Sequence, residues 1–210
     1  DMVLSVNGIP VVALELKNQL TGQDCACAIN QYKNDRSSKE FAFRPNHRFL
    51  VYFAVDLYEV WMTTQLADGS TRFMPFNQGS NGAGQSGGAG NPANPNGYVT
   101  SYLWEEVLQR DSLLDLIQRF ISNVKEKETE EKNGVVKTIT KEKMLFPRYH
   151  QYDVVRKVLA DVKQNGPGKN YLIQHSAGSG KSNSIAWIAY RLASVHDADN
   201  NGLFDSVIVV

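Results

Sequence analysis

Two short stretches of this chain combine residue types that could do chemistry. The first reads Gln174-His-Ser-Ala-Gly-Ser-Gly-Lys-Ser182. It follows an apolar run at 171–173, which predicts a strand, and precedes residues 184–192, whose apolar positions recur at helical spacing. Gly178 and Gly180, with Ser179 between them, let the backbone turn tightly, so that amide N–H groups at a helix start face an anion and the helix dipole favours negative charge there. Lys181 would reach the β- and γ-phosphates of a nucleotide, and the Ser182 hydroxyl would bind Mg2+. The plainer reading is a glycine turn from strand to helix with an incidental Lys.

The second stretch is Glu15-Leu16-Lys17, at the end of an apolar segment read as a strand. Side chains alternate along a strand, so Glu15 and Lys17 project from one face. Asp1 stands at the start of the preceding hairpin strand. Two carboxylates and a Lys suit a divalent cation and a water held beside it: the acids supply hard oxygen ligands, and Lys17 can orient or deprotonate the nucleophile. Such a site hydrolyses phosphodiesters. Taken alone, Glu-x-Lys is also what a solvated strand end looks like.

The elements that must position these residues can be read in order. Residues 2–6 and 11–16 predict two strands joined by Asn7-Gly8-Ile9-Pro10, whose Asn-Gly pair is a tight-turn signal. Residues 24–34 predict a helix with Asp24 as its N-cap, and 49–55 and 58–64 predict another pair of strands. Residues 77–97 are dominated by Gly, Asn, Pro, Gln, Ser and Ala, with too little apolar surface to offset ordering entropy, and predict a long loop. Helical periodicity returns over 98–123. The charged segment 125–143 reads as a connector or a solvated hairpin, and a second domain starts near Met144. The expected division is 1–76, 77–97, 98–143 and 144–210.

At 210 residues with 42% hydrophobic content, the chain can hold one large domain or two small ones. Twenty-two basic residues balance twenty-two acidic ones, so no global field draws a nucleic acid, and only local patches could hold one. Lys33, Arg36, Lys39, Arg44 and Arg48 could contact phosphates or be ordinary surface charge. Cys25 and Cys27, two positions apart, fit neither a zinc site nor a redox pair. No apolar run reaches membrane-span length and no signal-peptide pattern opens the chain, so the expected setting is cytoplasmic with no membrane partner. The chain starts just before a strand and ends inside the apolar run 206–210, which reads as a fragment.

The phosphate-binding loop has His175 where the usual template has Gly. In that respect it resembles superfamily 2 helicases and translocases, whose loop reads Ala-x-x-Gly-x-Gly-Lys-Ser/Thr, with His175 replacing the Ala. The resemblance makes Gln151, thirty positions before Lys181 in Phe146-Pro-Arg-Tyr-His-Gln151, the glutamine that reads adenine, for which an amide supplies a paired donor and acceptor. The Asp-hairpin-Glu-x-Lys arrangement resembles the PD-(D/E)XK nucleases. That resemblance implies Asp1 and Glu15 as metal ligands, the Leu16 carbonyl as a further ligand, and Lys17 as the catalytic Lys. Nucleases of this group fused to motors often carry Gln-x-x-x-Tyr on the following helix. Here Tyr32 fits the Tyr, as a supporting or merely packing residue, but Ala28 stands at the Gln position and the nearest amide, Gln31, receives no role.

The order of nuclease site, Gly/Asn/Pro-rich loop, helical connector and motor start resembles the restriction (motor) subunit of type I restriction-modification enzymes. The segment 73–120, with Asn-Pro-Ala-Asn-Pro-Asn-Gly-Tyr98 and Tyr102-Leu-Trp-Glu-Glu-Val, is similar to a stretch between nuclease and motor in that group. The fold implied is α/β: a PD-(D/E)XK nuclease domain, a mixed sheet with flanking helices, linked to the start of a RecA-like phosphate-loop motor. The function implied is ATP-driven translocation of duplex DNA coupled to Mg2+-dependent cleavage. Its partners would be specificity and methyltransferase subunits. Two other readings stay open: a nuclease-helicase of repair or another defence system, and an ATP-binding module without nuclease activity.

Overall fold

The computed structural model describes residues 1–132, 135–197 and 199–210. Strands β1 (Met2–Val6) and β2 (Ile9–Leu16) form the opening hairpin. Its turn residues Asn7 and Gly8 both have positive φ, 50° and 80°, which matches the twist of the flanking strands and which Asn-Gly tolerates best. A one-residue bulge opposite Leu4 and Ser5 changes the register from Val6↔Ile9 at the turn to Met2↔Leu14 at the far end. Without that bulge Asp1 would stand across from Leu14; with it, Asp1 stands across from Glu15, on the same face of the sheet.

Helix α1 (Cys25–Asn34) follows β2 and is capped as the sequence predicts: the Asp24 side chain accepts a hydrogen bond from Cys27 N at 3.0 Å. The chain returns as β3 (Val51–Val55), parallel to β2, and continues antiparallel through β4 (Val60–Thr63) and β5 (Met74–Pro75). The sheet is mixed, ordered β1-β2-β3-β4-β5. Asp56, at the β3–β4 turn, accepts from Tyr58 N and Glu59 N at 2.8 Å and from Cys25 N at 2.9 Å, so one carboxylate closes the turn and fixes the start of α1.

Every residue of β3 is buried. Tyr52 and Ala54 pack with Ala13, Ala28 and Tyr32 beneath α1. Val51, Phe53 and Val55 face the other way, into a larger core with Phe76, Leu103 and Phe146.

The helix predicted over 98–123 is broken in two. A π-helical turn, Leu103–Val107, ends at Leu108, Gln109 is extended with ψ of 151°, and α2 begins at Arg110 and runs to Arg119. The break lets both pieces bury their apolar faces: Leu103 and Val107 in one direction, Leu113 and Leu116 in the next, where a straight rod would carry its far end off the core.

The charged segment that follows is a hairpin, β6 (Ser122–Lys132) with β7 (Val135–Leu145), one of the two options read from its charge pattern; residues 133 and 134 lie outside the described residues. The predicted loop 77–97 contains no helix or strand, yet it is tied down. Gln78 N donates to Asn91 Oδ1 at 2.9 Å, Asn91 Nδ2 donates to Tyr58 O at 2.9 Å, and Val60 N donates to Asn77 Oδ1 at 2.8 Å. Side-chain amides take the place of the apolar surface the segment lacks.

Two helices complete the chain, α3 (Tyr149–Asn165) and α4 (Lys181–Leu192). They join the same core: the Trp187 indole donates to Phe120 O at 2.9 Å and Arg191 pairs with Asp115 at 2.9 Å. The strands predicted at 171–173 and 206–210 do not form. Both runs lie extended along a cleft of about 480 Å³ between α3 and α4, with Leu172 and Ile208 largely exposed. An apolar run becomes a strand only with a ladder neighbour, and neither has one among the described residues. No described helix is long and apolar enough to cross a membrane.

Phe53 sits at the centre of the larger core, fully buried between Phe76 and Phe146 at ring separations of 5.3 and 6.1 Å. Phe53→Ala is expected to destabilise the protein by about 3–5 kcal/mol, read as a lower denaturation midpoint in urea.

Candidate functional site

Glu15 lies near the C-terminal end of β2, in register with Ala54 of β3, and is only 2% exposed. Its face of the sheet is the one α1 covers, so the helix supplies its neighbours. One nitrogen of Arg36, just past the end of α1, donates to Glu15 Oε1 at 2.8 Å and to Asp1 Oδ2 at 2.9 Å. The other oxygen, Glu15 Oε2, is buried with no hydrogen-bond partner. Two residues on, Lys17 Nζ donates to Gln31 Oε1 of α1 at 2.6 Å. Leu16, between them, turns its side chain to the opposite, exposed side.

Asp1, Glu15 and Lys17, predicted from sequence, are thus gathered on one face at the ends of β1 and β2. Two further residues join them. Gln31, to which the spacing assigns no role, fixes Lys17, while Ala28, at the expected Gln position, is fully buried on the sheet-facing side of α1. The signal that could have found Gln31 is its place beside Tyr32, on the turn of α1 that the Lys can reach. Tyr32 donates to Phe53 O at 3.3 Å and packs edge-on against Tyr52 at 5.7 Å. Burial pushes its phenol up, and the nearby Glu15 carboxylate pushes it further the same way, so it stays a neutral donor. Arg36, read from sequence as a possible phosphate contact, is instead engaged between the two carboxylates.

An orphaned, buried carboxylate oxygen beside a second acid is a set of hard oxygen donors, which fits Mg2+. Among the described residues, the only cation reaching both acids is Arg36.

The second candidate site is the segment before α4. Gly178 and Gly180 have φ of 71° and 81°, in the left-handed region that only glycine enters freely, and α4 begins at Lys181 with no side chain capping it. An uncapped helix start with exposed Lys181 and Ser182 fits a phosphate group. Lys181 Nζ here donates to the loop's own carbonyls, His175 O at 3.2 Å and Ser176 O at 3.0 Å. Ser179 is buried, its hydroxyl without a partner.

Gln151 does meet this loop, though in a manner the sequence did not suggest. Its Nε2 donates to Gly180 O at 2.8 Å and Ser179 O at 3.3 Å, and its Oε1 accepts from Arg148 N at 2.9 Å. Both ends of the amide are engaged inside the protein, so the donor and acceptor expected to read adenine do not face a ligand. A Cβ on Gly180 would stand 2.6 Å from Gln151 Nε2, so a side chain there would push the amide off the loop carbonyls, and the positive φ asks for glycine in its own right. His150 Nε2 shares the Ser179 carbonyl at 3.1 Å, and its ring meets that of His175 edge-on at 4.7 Å.

Comparison with known proteins bears on the first of these two sites. Residues 1–71 match the family model of the type I restriction enzyme R protein N terminus. The matched stretch holds Asp1, Glu15, Lys17, Gln31, Tyr32 and Arg36, together with all of β1–β4 and α1. The match stops short of the loop before α4. No curated protein and no solved structure gives a significant match.

Burial holds both His150 and His175 below the ordinary imidazole value, and Lys181 adds to the effect at His175. The unfolded chain therefore takes up protons first as pH falls, so this part of the fold is most stable above about pH 6.5 and loses stability below it. His150→Gln, which keeps an N–H for Ser179 O but cannot titrate, is expected to shrink the difference in melting temperature between pH 7.5 and pH 5.5. Gly180→Ala is expected to cost at least about 1 kcal/mol and to lower protection of the α4 start in hydrogen exchange.

Proposed function

We propose that this chain carries the nuclease site and the opening of the ATP-driven motor of a type I restriction enzyme R subunit. The observation that carries the reading is the convergence of Asp1, Glu15 and Lys17 on one sheet face inside the stretch that matches the R protein N terminus.

Asp1 and Glu15, with the Leu16 carbonyl, would hold Mg2+. The bound ion would supply Lewis-acid activation of a phosphodiester and its attacking water. Lys17, pinned by Gln31 on the same face, orients that water or takes its proton. The buried Glu15 excludes bulk solvent on the protein side, which strengthens electrostatics at the reacting phosphate. Duplex DNA is the substrate this chemistry serves.

In the motor, taken as 144–210, the backbone from Gly178 to Ser182 cradles the phosphates of ATP, Lys181 leaves the loop carbonyls to pair with them, and Ser182 would hold Mg2+. Gln151 holds Gly180 in place; an adenine-reading role requires it to release the loop. The remaining division into 1–76, 77–97 and 98–143 follows the sequence reading. Specificity and methyltransferase subunits are the partners this function needs, and a cytoplasmic setting suits it.

In the subunit assembled with those partners, Lys17→Ala is expected to abolish DNA cleavage by at least about a hundredfold while ATP hydrolysis persists, and Lys181→Ala to abolish both. Cleavage retained in Lys17→Ala would remove the nuclease half of the proposal, and ATP hydrolysis retained in Lys181→Ala would remove the motor half.

A further inference from the structure

We propose that Arg36 is a built-in counter-cation of the Asp1–Glu15 pair, so that a divalent metal binds there by displacing the guanidinium. The inference rests on the nuclease reading of that pair and concerns how the site is kept before it is loaded.

A carboxylate that is 2% exposed cannot stand unpaired, because the loss of hydration is not offset by anything else nearby. Among the described residues the Glu15 carboxylate has a single side-chain partner, one Arg36 nitrogen, which it shares with Asp1. Both acids therefore lie within reach of one atom, the arrangement a small cation would also require. The arginine satisfies the pair only in part. It leaves Glu15 Oε2 buried with no partner among the described residues, and a doubly charged ion with several oxygen ligands would satisfy that oxygen better than one N–H.

Geometry also gives the arginine a way out. Arg36 lies beyond the end of α1, outside any helix or strand, and its side chain is 27% exposed, as is Asp1 at 54%. Apart from Arg36, no described side chain makes an ion pair with Glu15 or Asp1, and Lys17 is bound to Gln31. Removing the guanidinium thus takes away a competitor for the metal, and at the same time leaves the metal-free protein with an uncompensated buried charge.

The test is Mn2+ affinity, measured by calorimetry on the full chain without DNA, with melting temperature recorded with and without Mn2+. Arg36→Ala is expected to tighten Mn2+ on the order of tenfold, the size of a lost charge-assisted contact, to melt lower without metal, and to gain more from Mn2+ than the unaltered protein does. Arg36→Lys, which keeps a competing charge, is expected to stay close to the unaltered affinity. Should Arg36→Ala prove too unstable, Arg36→Met retains the packing of the stem and carries the same expectation. Glu15→Gln separates this inference from the one beneath it. If Glu15→Gln loses Mn2+ while Arg36→Ala or Arg36→Met binds it equally or more weakly, the metal site stands and the counter-cation proposal is overturned. If Glu15→Gln binds Mn2+ unchanged, the metal site itself falls and the proposal with it.

Discussion

Strand β3 has to serve two interiors at once, and most of the architecture follows from that requirement. Its five residues are all buried, and the two-residue period of a strand sends Tyr52 and Ala54 to α1 and Val51, Phe53 and Val55 to the opposite core. A strand covered on both faces must have a layer on each, which is why α1 crosses one side while the π-turn, α2 and α3 cover the other. The candidate nuclease site lies on the α1 side, and the apolar residues of α3 and α4 belong to the opposite core, so the two candidate sites lean on the same strand from different directions.

Placing a carboxylate as buried as Glu15 on the α1 face costs stability that the surroundings offset only in part. Ala54 beside it, and Ala13 and Ala28 in the same layer, are small, which opens room at the sheet surface. Tyr32 closes one side with a neutral hydroxyl, and Arg36 closes another with charge. On the proposed reading, this local stability is given up where a metal would bind.

Local rules made the sheet and its site legible. Asn7-Gly8 announced the hairpin, Asp24 announced the start of α1, and alternation along β2 placed Glu15 and Lys17 together. Where sequence reasoning failed, the deciding forces were tertiary. Nothing local in 98–123 signals the break at Gln109, which arises because two successive apolar faces must be buried in different directions. The runs at 171–173 and 206–210 have the composition of strands, but pairing depends on a neighbour that composition cannot supply. Loop 77–97 looked too polar to be ordered, yet Asn77, Gln78 and Asn91 fasten it with amide hydrogen bonds that no hydropathy pattern records. Gln31 and Gln151 share a lesson: an amide's contacts depend on what stands opposite it, and neither the bond of Gln31 to Lys17 nor that of Gln151 to the Gly180 carbonyl is written in the local sequence.

The bulge between β1 and β2 makes the candidate active site sensitive to reading frame rather than to side-chain identity. Residues along β1 are mostly exposed, and most exchanges there would leave the chain's core intact. Losing or gaining one residue between Val6 and Val12 is different in kind. It would turn Asp1 to the far side of the sheet while leaving the pairing of β2 with β3 in place, so that the proposed metal site would lose one of its two carboxylates. Under the proposed function, hairpin length is therefore as much a determinant of the site as the identity of Asp1 itself.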